Sequence, residues 1–286
     1  MRLALAQLSS SEDRGRNLER ALEAMSEAAA GGADAVVFPE IVLDRFFPQF
    51  PSTEAGGSGE TPCPPPAVKA LAETVPGPTT DRLAAKAREL GLVTVFNLYE
   101  VDEAGRTFDG SPVIDADGRL LGVTRMVHVT DYDGFHERDY YHPGDAGAPV
   151  YDTRAGRIGV AICYDRHFPE YMRALALGGA DLVVIPQAGV LGEWPEGLYE
   201  AEVRTAAFQN GYFAALCNRV GVEEKLTFSG ESFAVDPDGR VLARGVRLED
   251  DLVLVDLDLE RCADSPGRKL FRRDRRPELY PDWIGK

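Results

Sequence analysis

Cys163 closes an apolar run, Arg157-Ile158-Gly159-Val160-Ala161-Ile162-Cys163, and the chain turns at once through Tyr164-Asp165-Arg166-His167 into Phe168-Pro169-Glu170. A thiol placed where a buried strand gives way to a helix is surrounded by backbone N–H groups and by the positive end of the helix dipole. That setting suits a nucleophile that attacks a carbonyl-type carbon and holds the oxyanion that forms. A small buried cysteine is more often inert packing, so the thiol needs a base. Ala33 to Phe38 reads as a strand closed by Pro39-Glu40, which places a carboxylate at the C-terminal edge of a strand, where ligands gather. A carboxylate within reach of the thiol takes its proton and returns it to a departing amine. A lone loop glutamate is ordinarily solvated, so Glu40 and Cys163 carry this chemistry only as a pair.

The elements that must position the pair follow from periodicity. Residues 2–8, 33–38, 92–99, 157–163, 182–186 and 212–218 read as strands. Asn17–Ala30, Thr79–Leu90, Phe168–Leu177 and Pro195–Gln209 read as helices, with a shorter helical piece at Ala67–Thr74. Asp-Gly turns at Asp117-Gly118 and Asp238-Gly239 between apolar runs mark two hairpins. Strands that alternate with helices and hairpins favour two sheets packed face to face with helices outside over a plain doubly wound sheet. Residues 46–78 are rich in Pro and Gly; a lid over a pocket, an oligomer contact and a surface insertion without fixed structure all remain open there. From about residue 259 the tail lacks core periodicity and is expected to pack on the surface or on another subunit.

Composition narrows the partners. With 31 Lys plus Arg against 47 Asp plus Glu, the 286-residue chain carries a net charge of −16. General attraction to nucleic acid or to an anionic membrane is therefore not expected. The four cysteines are scattered, without a C-x-x-C pair or a histidine at metal spacing, so neither a metal nor a disulfide framework is expected. The N-terminal apolar run is too brief for a signal-peptide core, which makes the cytoplasm the default location. No stretch approaches the roughly 20 apolar residues that span a bilayer.

Three segments in this order, Val37-Phe38-Pro39-Glu40, Gly122-Val123-Thr124-Arg125-Met126-Val127-His128 with its continuation to Pro143-Gly144-Asp145, and Gly159-Val160-Ala161-Ile162-Cys163-Tyr164-Asp165-Arg166, resemble the nitrilase, or carbon-nitrogen hydrolase, superfamily. The branch they resemble contains N-carbamoyl amino acid amidases, beta-ureidopropionases and N-carbamoylputrescine amidases. The resemblance runs from the first strand to about Asp256. It implies one α/β domain over residues 1–286, a four-layer αββα sandwich that pairs into a homodimer or a higher homo-oligomer. It also implies a cofactor-free Glu–Lys–Cys site that hydrolyses a small amide or N-carbamoyl substrate through a thioester. Carried over by position, Glu40 is the base and Cys163 the nucleophile.

The family's lysine falls on Met126, and no lysine lies between Lys86 and Lys225. A thioether has neither a proton nor a charge to offer, and removing one oxyanion donor typically costs about 10²–10³ in turnover. Arg125 faces the other side of its strand, whereas His128 shares the Met126 face and is the candidate replacement donor. Glu137 matches a second family glutamate that steadies the lysine or the substrate. Arg166, three residues after the nucleophile, corresponds to an arginine that pairs with a substrate carboxylate; an internal salt bridge with Asp165 or Glu170 is the alternative. Tyr164 belongs with it on the substrate side. Asn218-Arg219-Val220-Gly221 resembles the ureidopropionase-like branch, and Asp109 stands where relatives tend to carry asparagine. Beside the hydrolase, two other readings stay open: a binding or regulatory protein that lost efficient turnover with its lysine, and an engineered lysine-to-methionine variant.

Overall fold

In the first strand, β1 (Arg2–Gln7), Leu3 and Leu5 enter one apolar layer while Ala4 and Ala6 enter another, and all four are fully buried. A strand covered on both faces reads as a nearly continuous apolar run, which is the pattern at the start of this chain. The computed structural model describes residues 1–52 and 62–284. The part of the 46–78 excursion at residues 53–61 lies outside them.

The first half of the chain supplies α1 (Arg14–Ala30), β2 (Ala35–Val37), α2 (Pro66–Lys69), α3 (Pro78–Leu90), β3 (Val93–Val95), β4 (Leu98–Val101), β5 (Thr107–Ile114) and β6 (Leu120–Arg125). The second half supplies β7 (Val150–Thr153), β8 (Gly156–Val160), α4 (Pro169–Leu177), β9 (Leu182–Gln187), α5 (Leu198–Asn210) and β10 (Phe213–Asn218). After these come β11 (Val220–Val222), β12 (Thr227–Ser229), β13 (Phe233–Val235), β14 (Val241–Arg244), β15 (Asp251–Asp256) and α6 (Arg261–Asp264). One seven-stranded sheet runs β15-β1-β2-β3-β5-β4, with β6 also on β5, and a six-stranded sheet runs β14-β13-β10-β9-β8-β7. In each sheet the central three strands are parallel: β1, β2 and β3 in the first, β8, β9 and β10 in the second. Strands β11 and β12 form a separate small ribbon.

Leu3, Leu5, Val37 and Val95 of the first sheet share one apolar layer with Val160, Val184, Ala215 and Cys217 of the second. Leu18 and Met25 of α1 and Leu83 and Ala87 of α3 cover the other face of the first sheet. Met172 and Leu175 of α4 and Val203 and Ala207 of α5 cover the other face of the second. The architecture is therefore the four-layer αββα sandwich, in which each fully buried aliphatic side chain contributes about 1.5–3 kcal/mol. Between the sheets, Cys217 Sγ donates to the Val37 carbonyl at 3.2 Å.

Several boundaries differ from the sequence expectation for identifiable reasons. Helix α1 starts at Arg14 rather than Asn17 because Asp13 caps it, accepting from the Arg16 amide at 3.0 Å. The expected strand 92–99 is broken at Phe96-Asn97 into β3 and β4, which both pair with β5, since the Asn97 side chain is drawn off to the Glu40 turn. The helix expected at 67–74 stops at Lys69. The tail packs on the body of this chain: Cys262 is buried, and Arg268 donates to the carbonyls of Gly211 and Ala180 and pairs with Asp181. No helix among the described residues is long and apolar enough to cross a membrane.

Candidate active site

Glu40 and Cys163 emerge from different sheets. Glu40 follows the C-terminal end of β2, and Cys163 follows that of β8 and opens a 3₁₀ turn, Cys163–His167, that leads into α4. Cys163 has φ +42°, a conformation that costs a non-glycine residue about 1–3 kcal/mol and persists only where its surroundings enforce it. Ile41, next to Glu40, is held the same way at φ +44°.

The restraints on both turns are explicit. The Ile41 amide donates to Asn97 Oδ1 at 2.6 Å. The buried Arg219 donates through Nη1 to the carbonyls of Glu40 and Ile41, and through Nη2 to the Asp44 carbonyl at 3.0 Å and Glu223 Oε1 at 2.6 Å. On the other sheet, Arg166 Nη1 donates to the Cys163 carbonyl and to Gln187 Oε1, each at 2.9 Å. Gln187 Nε2 in turn donates to Cys163 Sγ at 3.1 Å, and the Ala188 amide also faces the sulfur.

One ligand atom each of Glu40, Glu137 and Cys163 lies within 4.8 Å of the other two. Glu137 Oε2 accepts from the Thr130 amide at 3.2 Å, and Asp109 Oδ1 accepts from Asn97 Nδ2 at 2.6 Å. Both oxygens of Glu40, Glu137 Oε1, Asp109 Oδ2 and the Tyr141 hydroxyl are enclosed without a hydrogen-bond partner among the described residues. Met126 is buried in the same layer as Cys163 and Tyr141. Among the described residues, no lysine or arginine side chain pairs with the carboxyl group of Glu40, Asp109 or Glu137.

This balance of charge fixes the protonation of the cluster. Burial, reinforced by Asp109 and Glu137, pushes Glu40 well above the usual carboxylate range. Burial likewise raises Glu137, and it brings Asp109 up to about 7. The Cys163 thiol is pushed up by burial and by the two glutamates, with Arg166 pulling the other way. Desolvation and like charges act in one direction and outweigh the opposing pull of Arg166 on the thiol.

Of the residues singled out from sequence, Glu40, Glu137 and Cys163 converge, with Met126 in the same apolar layer. Arg166 is buried: besides the bonds above, its Nε lies 3.4 Å from Glu202 Oε2 and its guanidinium sits 4.5 Å over the Tyr199 ring, while Nε and Nη2 make no hydrogen bond among the described residues. The ion-pair partner is Glu202, not Asp165 or Glu170. His128 turns its ring to Asp165. Its Nδ1 is 2.7 Å from Asp165 Oδ1, its ring stacks on Phe168 at 3.6 Å, and its amide also donates to Asp165. Tyr164 is half-buried, edge-on to His167 and Phe168. Arg125 does face away, paired with Glu100 at 2.6 Å. Sequence reasoning missed Gln187, Asn97 and Tyr141; Gln187 is a polar residue where an apolar strand ends, the signal that did single out Glu40.

The family profile described as carbon-nitrogen hydrolase matches residues 2–266. The chain belongs to that family. This hydrolase is 31% identical to an N-carbamoylputrescine amidase of Solanum lycopersicum, over 97% of this chain and 93% of the relative. Its structure is similar to that of a carbon-nitrogen hydrolase from Helicobacter pylori G27, with a TM-score of 0.88, 27% identity and coverage of 99% and 98% of the two chains. It also resembles a Glu-to-Gln variant of the amidase from Nesterenkonia sp. AN1, with a TM-score of 0.78, 26% identity and coverage of 99% and 97%. In that amidase the acetamide moiety of fluoroacetamide is covalently added at the active-site cysteine.

Proposed function

We propose that this carbon-nitrogen hydrolase cleaves a small amide or N-carbamoyl compound, with Cys163 as nucleophile and Glu40 as base. The observation that carries the reading is the approach of Cys163 Sγ, Glu40 and Glu137 to within 4.8 Å of one another, with all three side chains buried. The thiol adds to the carbonyl carbon as its proton passes to Glu40. The oxyanion is then held by backbone N–H groups at the start of the Cys163–His167 turn, that of Tyr164 among them. Collapse of the tetrahedral intermediate expels the amine with the proton from Glu40 and leaves a thioester. Water, deprotonated by Glu40, attacks the thioester, and the acid departs as the thiol is restored. An N-carbamoyl substrate gives a carbamic acid in place of the carboxylic acid, and its loss of carbon dioxide leaves ammonia, amine and carbon dioxide as products.

Glu137 accepts from Thr130 and borders the thiol, which suits a role in orienting the substrate amide. Met126 supplies no charge to the oxyanion, so the pathway depends on backbone donors and on concerted proton transfer. Arg166 spends Nη1 on Gln187 and the Cys163 carbonyl and lies 3.4 Å from Glu202, which lowers its pull on a substrate carboxylate without removing it, since Nη2 makes no hydrogen bond among the described residues. The name of the tomato relative supports the carbamoylated-amine class. The resemblance further supports one catalytic domain over residues 1–286 and a homodimer or higher homo-oligomer.

Ammonia release from a panel of simple amides and carbamoyl amines tests the reading. Turnover by the chain that disappears in Cys163→Ala and falls sharply in Glu40→Gln is expected. Turnover retained by Cys163→Ala refutes it.

A further inference from the structure

We propose that the buried cluster is also a binding site for a thiophilic divalent cation of the Zn²⁺ class, ligated by Cys163 Sγ and by carboxylate oxygens of Glu40 and Glu137. Three features point to a cation. The ligand atoms converge from three separate parts of the chain to within 4.8 Å of one another. Glu137 Oε1 and the Tyr141 hydroxyl are enclosed without hydrogen-bond partners among the described residues, and the free oxygens of Glu40 and Asp109 face only each other and Cys163 within the same cluster. No basic side chain among the described residues pairs with these carboxyl groups, and Met126 brings only an uncharged thioether to the layer they adjoin.

Buried carboxyl groups without donors are costly, and they are ordinarily paired or bound to a metal. The donor set selects the ion. Calcium and magnesium take all-oxygen shells, whereas one thiolate with carboxylate oxygens suits Zn²⁺ and its spectroscopic stand-ins Cd²⁺ and Co²⁺. Zn–S and Zn–O bonds of about 2.3 and 2.0–2.2 Å require the three atoms to close by roughly 1 Å, within reach of carboxyl rotation in the two glutamates. Asp109 Oδ2, adjacent to Glu40, offers a fourth oxygen. Cys163 is 5% exposed, so the cluster is not sealed from solvent.

The bound ion occupies the sulfur that the thioester reading employs, so it blocks turnover rather than serving it. The inference shares residues with that reading without resting on it, and it is measured without turnover. Failure here therefore leaves the hydrolase reading standing, and an inactive chain leaves this inference standing.

The test is titration of the reduced full-length protein with Cd²⁺, followed by the ultraviolet thiolate-to-metal charge-transfer band, and with Zn²⁺ by competition. One ion per chain is expected, with the band lost in Cys163→Ala and Zn²⁺ affinity reduced at least about tenfold in both Glu137→Gln and Glu40→Gln. Anomalous diffraction at the zinc edge of the soaked protein, needing no variant, is expected to place the ion between the three side chains. A band that persists in Cys163→Ala, unchanged affinity in both glutamine variants, or zinc density only elsewhere on the chain overturns the proposal.

Discussion

Asp109→Asn separates the electrostatics of the cluster from its shape. Burial raises the Asp109 carboxyl from 3.8 to about 7, so the folded chain holds a proton there that the unfolded chain has released. Between those two pH values the unfolded state binds fewer protons, and stability falls as pH rises. At 1.36 kcal/mol for each pH unit, the stability withdrawn by pH 8 is about 4 kcal/mol. Asparagine does not titrate. Its carbonyl still accepts from Asn97 Nδ2, the partner of Oδ1 at 2.6 Å, and its amide replaces Oδ2, which has no partner among the described residues, beside the unpartnered Glu40. Urea unfolding at pH 5, 6, 7 and 8.5, with the denaturant slope checked for constancy, measures the effect. The variant and the parent are expected to lie close together at pH 5 and to diverge by about 2–4 kcal/mol in favour of the variant at pH 8.5. The new donor also favours the ionised form of Glu40, so the acid limb of kcat/KM moves to lower pH in the variant. Stability curves that run parallel across the range refute the account of a proton-holding Asp109.

Met126→Lys places a donor and a positive charge in the layer that borders Cys163, and kcat/KM at pH 7 is expected to rise about 10²–10³-fold; ammonia release no faster than the parent's counts against the oxyanion assignment. Arg219→Met removes the bonds that fasten the Glu40 turn and the 2.6 Å ion pair with Glu223, which keeps Arg45 at 3.7 Å and the Phe46 amide, at an expected loss of about 3 kcal/mol in chemical unfolding, the lower end for breaking a buried ion pair; a change below about 1 kcal/mol contradicts it. In Arg166→Lys the two bonds from Nη1 are lost, which should lower stability by about 1.5–3 kcal/mol and leave the ratio of KM for carboxylate-bearing and neutral substrates unchanged. A KM rise confined to carboxylate-bearing substrates would return Arg166 to the substrate side.

The layers were legible because strands such as Leu182–Gln187 are apolar on both faces, and because the Asp-Gly turns at residues 117–118 and 238–239 interrupt apolar runs. Glu40 and Cys163 were legible for a related reason: each is a reactive group immediately past such a run. Contacts distant in sequence were not. The Arg166 ion-pair partner is Glu202, in a different helix, and nothing local to Tyr164-Asp165-Arg166 indicates it. Strand alternation put His128 on the Met126 face, but β6 ends at Arg125, so the alternation no longer applies and the ring turns to Asp165. Asn97 sits in what reads as one strand, and only the path of the Glu40 turn explains why the strand breaks there. Asp109 was visible as a departure from relatives, yet its consequence depends on enclosure beside Glu40, which a linear pattern does not register.

Since Glu40 and Cys163, the proposed base and nucleophile, hang from opposite sheets, the gap a proton must cross is set like the jaws of a caliper by what fills the space between them. Ala215, Cys217 and Val37 belong to that filling, and the Cys217–Val37 link is a contact across it. Catalysis in this molecule is thereby tied to the compliance of its interior: hydrostatic pressure, or one extra methyl group at Ala215, alters the chemistry from a position that touches neither reacting group.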